Sequence, residues 1–491
     1  MSAKPLSTTA PPPAPTPPAG PAKLPAAIVL TATIVAFGAF MSALTTTVFN
    51  AATEKISVDL HSSSGATHWS VTAYLLGYAA VIPLAGWLAR RFGAARLWLA
   101  MLAMFTVLSA VGAAANSIGL LIAARAALGM TGGLLVPAGQ MLLAARARRD
   151  QLGRIMAMMG VPIVLAPLLG PTLGGILVDH LGWRSLFLIN VPLCVIALVF
   201  AWFTLERTPG GEAGRFDTFG LVLTALGMPM LTYGIADVTV PNNPHVGISA
   251  GLIVAAVLLL GTFVWHSLRR DQPLLDLRLF ANKAFASACI TSFSLGAVLY
   301  GSLALLPLYF LHARGETPLV AGLMVATQAI GALIATPISG SLCDRFGGGR
   351  VVISGLVLAL VSTIPLAVIG TTESYWWLGV VLVARGVATG LTVVPAMSTT
   401  YAVVRKDQIP HATPQLNLMQ RLGGSLGIAL LTVIYQDMLP EHPTAAAAAD
   451  AMGSTHYWVI GLTVLALLPA FVLAKAEKVS RAESAATDAR R

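Results

Sequence analysis

The amino-acid sequence predicts an all-α polytopic membrane protein of about 14 transmembrane helices, arranged 6+2+6 with two pseudo-symmetric halves. Three observations carry this expectation. Hydrophobic residues make up 56% of the 491 and charged residues 10%, with mean hydropathy +0.79, which leaves too little polar surface for a soluble chain of this length. A spanning helix needs roughly 20 apolar residues, and such runs recur along the whole chain without any ten-residue alternation that would mark a barrel. The stretches Gly86–Arg96 and Gly340–Arg350 align at an offset of 254 and share G-x-L-x-x-R-F-G-x-x-R, an internal repeat that divides the chain into duplicated parts.

Taken in order, residues 1–25 form a Pro-rich cytoplasmic tail, expected to be disordered, whose scattered prolines rule out a continuous signal-peptide core. The first half, 26–205, holds runs near 26–50, 68–88, 97–115, 119–144, 155–178 and 185–205. A central insert, 206–283, contributes 217–236 and 246–267. The second half, 284–474, holds 284–309, 319–342, 351–370, 375–399, 413–435 and 455–474, and a charged tail, 475–491, follows. Of the thirty Lys and Arg, Lys55, Arg184 and Arg314 lie on one side of the membrane, and Arg125, Arg385 and Arg421 lie within helices or at their edges. All others collect on the side of the termini. Both termini are therefore expected in the cytoplasm of a multi-pass protein of the bacterial cytoplasmic (inner) membrane. The net charge of +10 is then a topology signal and implies no nucleic-acid partner. The tryptophans fall near helix ends, as rings at headgroup depth should. Cys194, Cys289 and Cys343 lack metal spacing and read as small apolar residues, and no cofactor is expected.

The fifth run carries Gly160, Pro162, Pro167 and then Gly170-Pro171-Thr172-Leu173-Gly174-Gly175. Each proline removes a backbone hydrogen bond and bends the helix, while Gly170 and Gly174, one turn apart, let a neighbouring backbone approach. Freed carbonyls need partners inside the protein or in a water-filled cavity, so this run is either a kinked packing helix or a thin wall sealing a transport path. The first run ends Leu44-Thr45-Thr46-Thr47-Val48-Phe49-Asn50. These side chains either bond backbone carbonyls or line a polar cavity, with Glu54 at its outer mouth. Thr45, Asn50, Gln140, Gln328, Asn417 and Gln420 are the cavity candidates. In the repeat, Gly86, Arg91 and Gly93, and then Asp344, Arg345, Gly347 and Arg350, place tight turns and charges at the cytoplasmic surface, where they can hold one half against the other as a gate. Duplicated six-helix halves around a central pair are the layout of a rocking transporter.

Arg125 and Arg385 sit on the fourth helix of each half. An arginine in hydrocarbon is costly and marks function by default, the alternative being a side chain that snorkels to the headgroups. Among the acids, Glu54, Asp217 and Asp237 approach helix interiors, each at an end, so intramembrane cations without an acid favour anionic or neutral cargo. Asn417, Gln420, Arg421, Gly423, Gly424 and Gly427 give the second half a glycine-rich fifth helix that mirrors the first. No His-Glu-x-x-His, Ser/His/Asp cluster or P-loop points to an enzyme or to direct ATP drive.

Four features together resemble a known family: the repeated loop; Gly160 to Gly175 followed by Trp183-Arg184, Phe187, Asn190 and Pro192; Pro273-Leu274-Leu275-Asp276-Leu277-Arg278-Leu279-Phe280; and Asn417 through Gly427. Over residues 26–474 the chain resembles the major facilitator superfamily, in particular its fourteen-helix drug:proton antiporters of the EmrB/QacA type. The resemblance implies the major facilitator fold and export of small amphipathic compounds by proton antiport and alternating access. It implies a proton-coupling role for Arg125, with Glu54 and Arg385 as further candidates, and an antiport role for the helix of Gly170–Gly175. It implies as partners an amphipathic substrate, protons and the lipid bilayer, with a periplasmic adaptor as one more candidate. Two positions depart from the family pattern. Thr45 stands where an Asp is common, which argues against cationic drugs, and Arg90 replaces the first-loop Asp that Asp344 keeps in the second copy. The expected function is secondary export. Its rivals are an exporter of one neutral or anionic metabolite with altered coupling, and a non-transporting sensor on the same fold.

Overall fold

The computed structural model describes residues 24–148, 151–207, 210–211, 214–239, 245–440 and 444–488, and among these every regular element is a helix. The Pro-rich segment 1–23 lies outside the described residues. The first half comprises α1 (Ala26–Val48), α2 (Thr53–Asp59), α3 (Ser64–Val81), α4 (Ala85–Phe92), α5 (Ala94–Ala113), α6 (Ile118–Arg146), α7 (Leu152–Leu181), α8 (Ser185–Leu188) and α9 (Asn190–Thr204). The central pair is α10 (Thr218–Val238) and α11 (Val246–Arg269). The second half comprises α12 (Lys283–Leu308), α13 (Pro318–Phe346), α14 (Gly348–Ala367), α15 (Tyr375–Gly390), α16 (Val393–Val403), α17 (Ile409–Asp437) and α18 (Ala445–Asp488). Thirteen helical segments among the described residues are long and apolar enough to cross a membrane. The helix α7, 30 residues, fills the place of the expected fifth span, so the bundle follows the predicted order.

Helix pairing repeats between the halves. The pair α1 and α7 is mirrored by α12 and α17, α3 and α6 by α13 and α15, and α5 and α9 by α14 and α18. The halves meet along α7 with α13 and α4 with α17. The repeated loops share more than letters: Gly93 and Gly347 turn with φ of 87° and 95°, a region that strains any residue with a Cβ. Both halves also bring helices together through glycine. A methyl at Gly129 would lie 2.0 Å from the Tyr74 carbonyl oxygen, and one at Gly386 would lie 1.8 Å from that of Gln328.

The central pair is fastened at one end by Asp217. Its carboxylate caps α10 by accepting from Gly220 N at 3.0 Å, and it also accepts from Leu274 N at 3.1 Å and lies 2.9 Å from His266 Nε2. The Pro273–Phe280 stretch continues the link, since the Asp276 carbonyl accepts from Gln415 Nε2 of α17 at 2.9 Å. At the end away from the termini, Arg184 Nη1 and Trp183 Nε1 donate to Asp59 Oδ2 at 2.5 and 2.8 Å, and these donors hold the Asp59 carboxyl below the usual carboxylate range.

Three details add to the sequence reading. The first span stops at Val48 and yields to a 3-10 turn, Phe49–Ala52, and then α2. The final helix runs on to Asp488, through much of the expected tail, because that segment is rich in the strong helix formers Ala, Glu, Lys and Arg. Two tryptophans are not headgroup rings: Trp183 is buried on Asp59, and Trp98, fully buried, covers Gly38, where a methyl would approach its ring to 2.7 Å. All three cysteines are buried, as small apolar residues should be.

Close helix contact makes a measurable demand. Gly129→Ala is expected to destabilise the protein by about 1–3 kcal/mol through overpacking. Gly461→Ala, with open space where its methyl would go, should change stability by no more than about 1 kcal/mol. Thermal unfolding of the two variants in detergent compares them.

Candidate functional site

A cavity of about 960 Å³ lies between the halves, walled by α1 and α7 on one side and α12, α13 and α17 on the other. Its surface is mostly aliphatic, with Met156, Met159 and Met397 among the linings. Gln140, Gln328, Asn417, Gln420 and Arg421 supply polar groups. Towards the end away from the termini it reaches Asp179, His180 and Leu319. Leu319 is 72% exposed and marks the mouth. Asp179 pairs there with Lys55 at 2.8 Å.

The glycines of α7 explain how this wall is thin. A methyl at Gly160 would meet Val394 Cγ2 at 2.5 Å and Thr336 Cγ2 at 2.9 Å, both from the other half. At Gly170 a methyl would fall 2.2 Å from Thr47 Oγ1, which donates to the Ala166 carbonyl of the same helix at 3.1 Å. Gly174 is buried and Gly175 faces the cavity. The helix stays continuous from Leu152 to Leu181, whereas the side chains of Pro167, Pro171 and Asn50 lie outside the described residues.

The opposite end is closed by contacts between the halves. Asp344 Oδ2 accepts from Arg154 Nε at 2.7 Å and Oδ1 from Gly153 N at 2.9 Å, and the carboxylate is 4% exposed. Gly86 lets α4 touch α17: a methyl there would sit 2.1 Å from the Pro410 carbonyl oxygen. Beside it, Arg90 Nη1 stands 3.2 Å from His411 Nδ1. The repeat copies therefore close differently, one through a carboxylate and one through backbone contact and an arginine–histidine pair. Arg91, Arg345 and Arg350 are exposed, Arg345 lying 5.0 Å from the ring of Phe346. The sequence offered no pairing for Arg154, though a cation at the start of the fifth helix was visible.

Arg125 and Arg385 do not line this cavity. Arg125 is fully buried one layer behind it, donating from Nε to the Ser70 carbonyl at 3.2 Å and from Nη1 to the Thr45 carbonyl at 3.3 Å. Its guanidinium carbon lies 4.0 Å from the Phe49 ring centre and 4.6 Å from that of Tyr74, so it does not snorkel to the membrane surface. Arg385 donates to Thr363 Oγ1 at 2.8 Å and to Ser302 Oγ, beside a small void it shares with Gln328. The two are not strict counterparts, since Arg125 precedes Gly129 by a full turn while Arg385 directly precedes Gly386. Thr45 is also removed from the cavity, its hydroxyl accepting from Asn190 Nδ2 at 3.1 Å. Glu54 is exposed on α2 and lies off the cavity wall. Gln140, Gln328, Asn417 and Gln420 do line it, and Asn417 Nδ2 bridges the halves by donating to Gln140 Oε1 at 2.8 Å.

The unequal gates carry a prediction. Asp344→Asn removes the charge from a buried pair that joins the halves, a change that is costly when one partner is left behind. It should raise thiol labelling of a cysteine at Met397 from the closed end by about tenfold. Arg90→Ala, which loses one contact, should raise it by about threefold or less. Labelling rates with a membrane-impermeant maleimide compare the two.

A family model described as Major Facilitator Superfamily matches residues 35–428. The multidrug resistance protein B homolog of Mycobacterium tuberculosis is 34% identical over 420 residues, 84% of this chain and 77% of that protein. The putative multidrug resistance protein MdtD of Pectobacterium atrosepticum is 29% identical over 444 residues, 89% of this chain and 94% of that one. The crystal structure of the human organic anion transporter MFSD10 (TETRAN) matches with a TM-score of 0.58 at 17% identity, covering 92% of this chain and 100% of that one, a likeness of fold alone. Together with the duplicated six-helix halves around a central cavity, these matches establish that the chain belongs to the major facilitator superfamily of membrane transporters.

Proposed function

We propose that the protein is a secondary active exporter of small amphipathic compounds, of the multidrug efflux kind, driven by proton antiport in the bacterial cytoplasmic membrane. The observation that carries this reading is the large, mainly apolar cavity between the halves, open at one end and sealed at the other by Asp344 with Arg154 and Gly153. Its volume suits a drug-sized molecule. Thioethers on the wall adapt to varied shapes, and a few amides fix orientation without demanding one ligand. The relatives named as multidrug resistance proteins support the same reading.

With the arginine- and lysine-rich end in the cytoplasm, the cavity faces outward, the state from which cargo leaves. Return to the inward-facing state requires the Asp344 seal to part and the mouth near Asp179 to close, which the thin wall at Gly160 permits. In this reading Arg125 acts indirectly: through the Thr45 and Ser70 carbonyls it ties α1 to α3, one layer behind the cavity. Proton antiport rests on the family resemblance.

In inverted vesicles, a neutral amphipathic dye should accumulate under an imposed pH gradient and leak out when a protonophore is added. Gly160→Leu should insert normally yet lose at least about 90% of uptake, since the larger side chain meets Val394 and Thr336 across the halves. No accumulation of any amphiphile by the wild type would refute export. Accumulation indifferent to the protonophore would refute proton drive alone.

A further inference from the structure

The cavity wall carries one intramembrane cation that neither the gates nor the interior of a half uses. Arg421, on α17, lies on the wall with its guanidinium carbon 4.1 Å from the ring centre of Tyr78, and no carboxylate pairs with it among the described residues. A second cation, Arg125, lies against the other ring of the same aromatic pair. Arg421 faces Tyr78, Tyr78 and Tyr74 stand 6.4 Å apart, and Tyr74 faces Arg125 at 4.6 Å. Two positive charges thus share two tyrosine rings, without an acid between them among the described residues. Among the described residues, the one carboxylate on the cavity wall is Asp179 at the mouth, already paired with Lys55.

We propose that Arg421 is the subsite for the anionic group of the cargo, a carboxylate or sulfonate attached to an apolar body. This deepens the export reading and rests on it for the transport step only. The guanidinium has more N–H donors than its contact with Tyr78 uses, and its fork matches two oxyanion oxygens. Neighbouring amides supply further donors. Asn417 is committed to Gln140 Oε1 and the Thr413 carbonyl, which turns Gln140 Nε2 towards nothing stronger than Met397 Sδ at 4.0 Å. That amide and Gln420 are left for an acceptor on the cargo, while Leu299, Leu303 and Met159 receive the apolar part. A quaternary ammonium compound would add a third positive charge in a wall of low dielectric, where it is weakly screened.

The test uses three probes of one size: an aryl sulfonate dye, its uncharged parent and its quaternary ammonium analogue. Binding is measured to the full chain in lipid nanodiscs and uptake in inverted vesicles. The wild type should bind the sulfonate about tenfold more tightly than the ammonium analogue, corresponding to about 1.4 kcal/mol. Arg421→Gln should abolish that preference while leaving the parent within about twofold, and Arg421→Lys should keep most of it. A wild type that binds the ammonium compound as well as the sulfonate overturns the proposal, as does an Arg421→Gln variant that weakens all three probes equally. Selective sulfonate binding without uptake of any probe upholds the subsite and refutes export. Uptake of the parent with no charge preference upholds export and refutes the subsite. If Arg421→Gln does not fold, the wild-type preference and the Arg421→Lys variant still decide.

Discussion

Hydrocarbon offers no hydrogen bonds, so every buried donor and acceptor in this bundle has to find its partner inside the protein. Arg125 shows what that requirement does to a charge. It is surrounded by carbonyls from two other helices and by aromatic faces, and these hold α1, α3 and α6 in one arrangement. Arg385 answers part of the same requirement with hydroxyls, from Ser302 and Thr363, while its Nε and the Nη2 of Arg125 lack a hydrogen-bond partner among the described residues. Threonines on α1 spend their hydroxyls on carbonyls one turn back, as Thr46 does on Ser42, and Thr47 reaches across to α7 as well. Each half becomes stiff through these local bonds, leaving the seam between halves as the place where movement costs least.

That seam is lightly but specifically closed. Glycines bring backbones together at two places on its closed end, and polar contacts of unlike chemistry hold them: a buried carboxylate in one copy of the repeat, an arginine beside a histidine in the other. Duplication supplied the geometry twice, and substitution at Arg90 altered one copy. Opening the seam therefore separates a charged pair on one side and a weaker polar contact on the other, so the two sides need not part with equal ease.

Much of this was legible in the sequence because membrane spans and repeats leave strong periodic signals. The apolar runs, the shared loop pattern and the buried cysteines could all be read from residue type and spacing. The faces of the helices could not. In a helix that is apolar all round, nothing in the pattern says whether a polar residue points at a cavity or at a neighbour. That is why Thr45 could be read as a cavity residue although it bonds Asn190, and why spacing does not tell that Arg421 lines the cavity while Arg125 and Arg385 lie behind it. Partners far apart in the chain, such as Arg154 and Asp344, were equally invisible, since only packing of one half on the other brings them together.

The end of α18 has an importance that its composition hides. Glu477 accepts hydrogen bonds from the backbone N–H groups of Gly348 and Gly349 at 3.0 and 2.7 Å, supplying the cap that the start of α14 lacks in its own sequence. The chain terminus is thereby moored to the repeat loop that bears Asp344, whereas the first repeat has no such tether among the described residues. Anything that tugs on, trims or docks to that terminal helix acts on the second half's loop directly. The last helix and the second repeat loop thus share one hydrogen-bonded join.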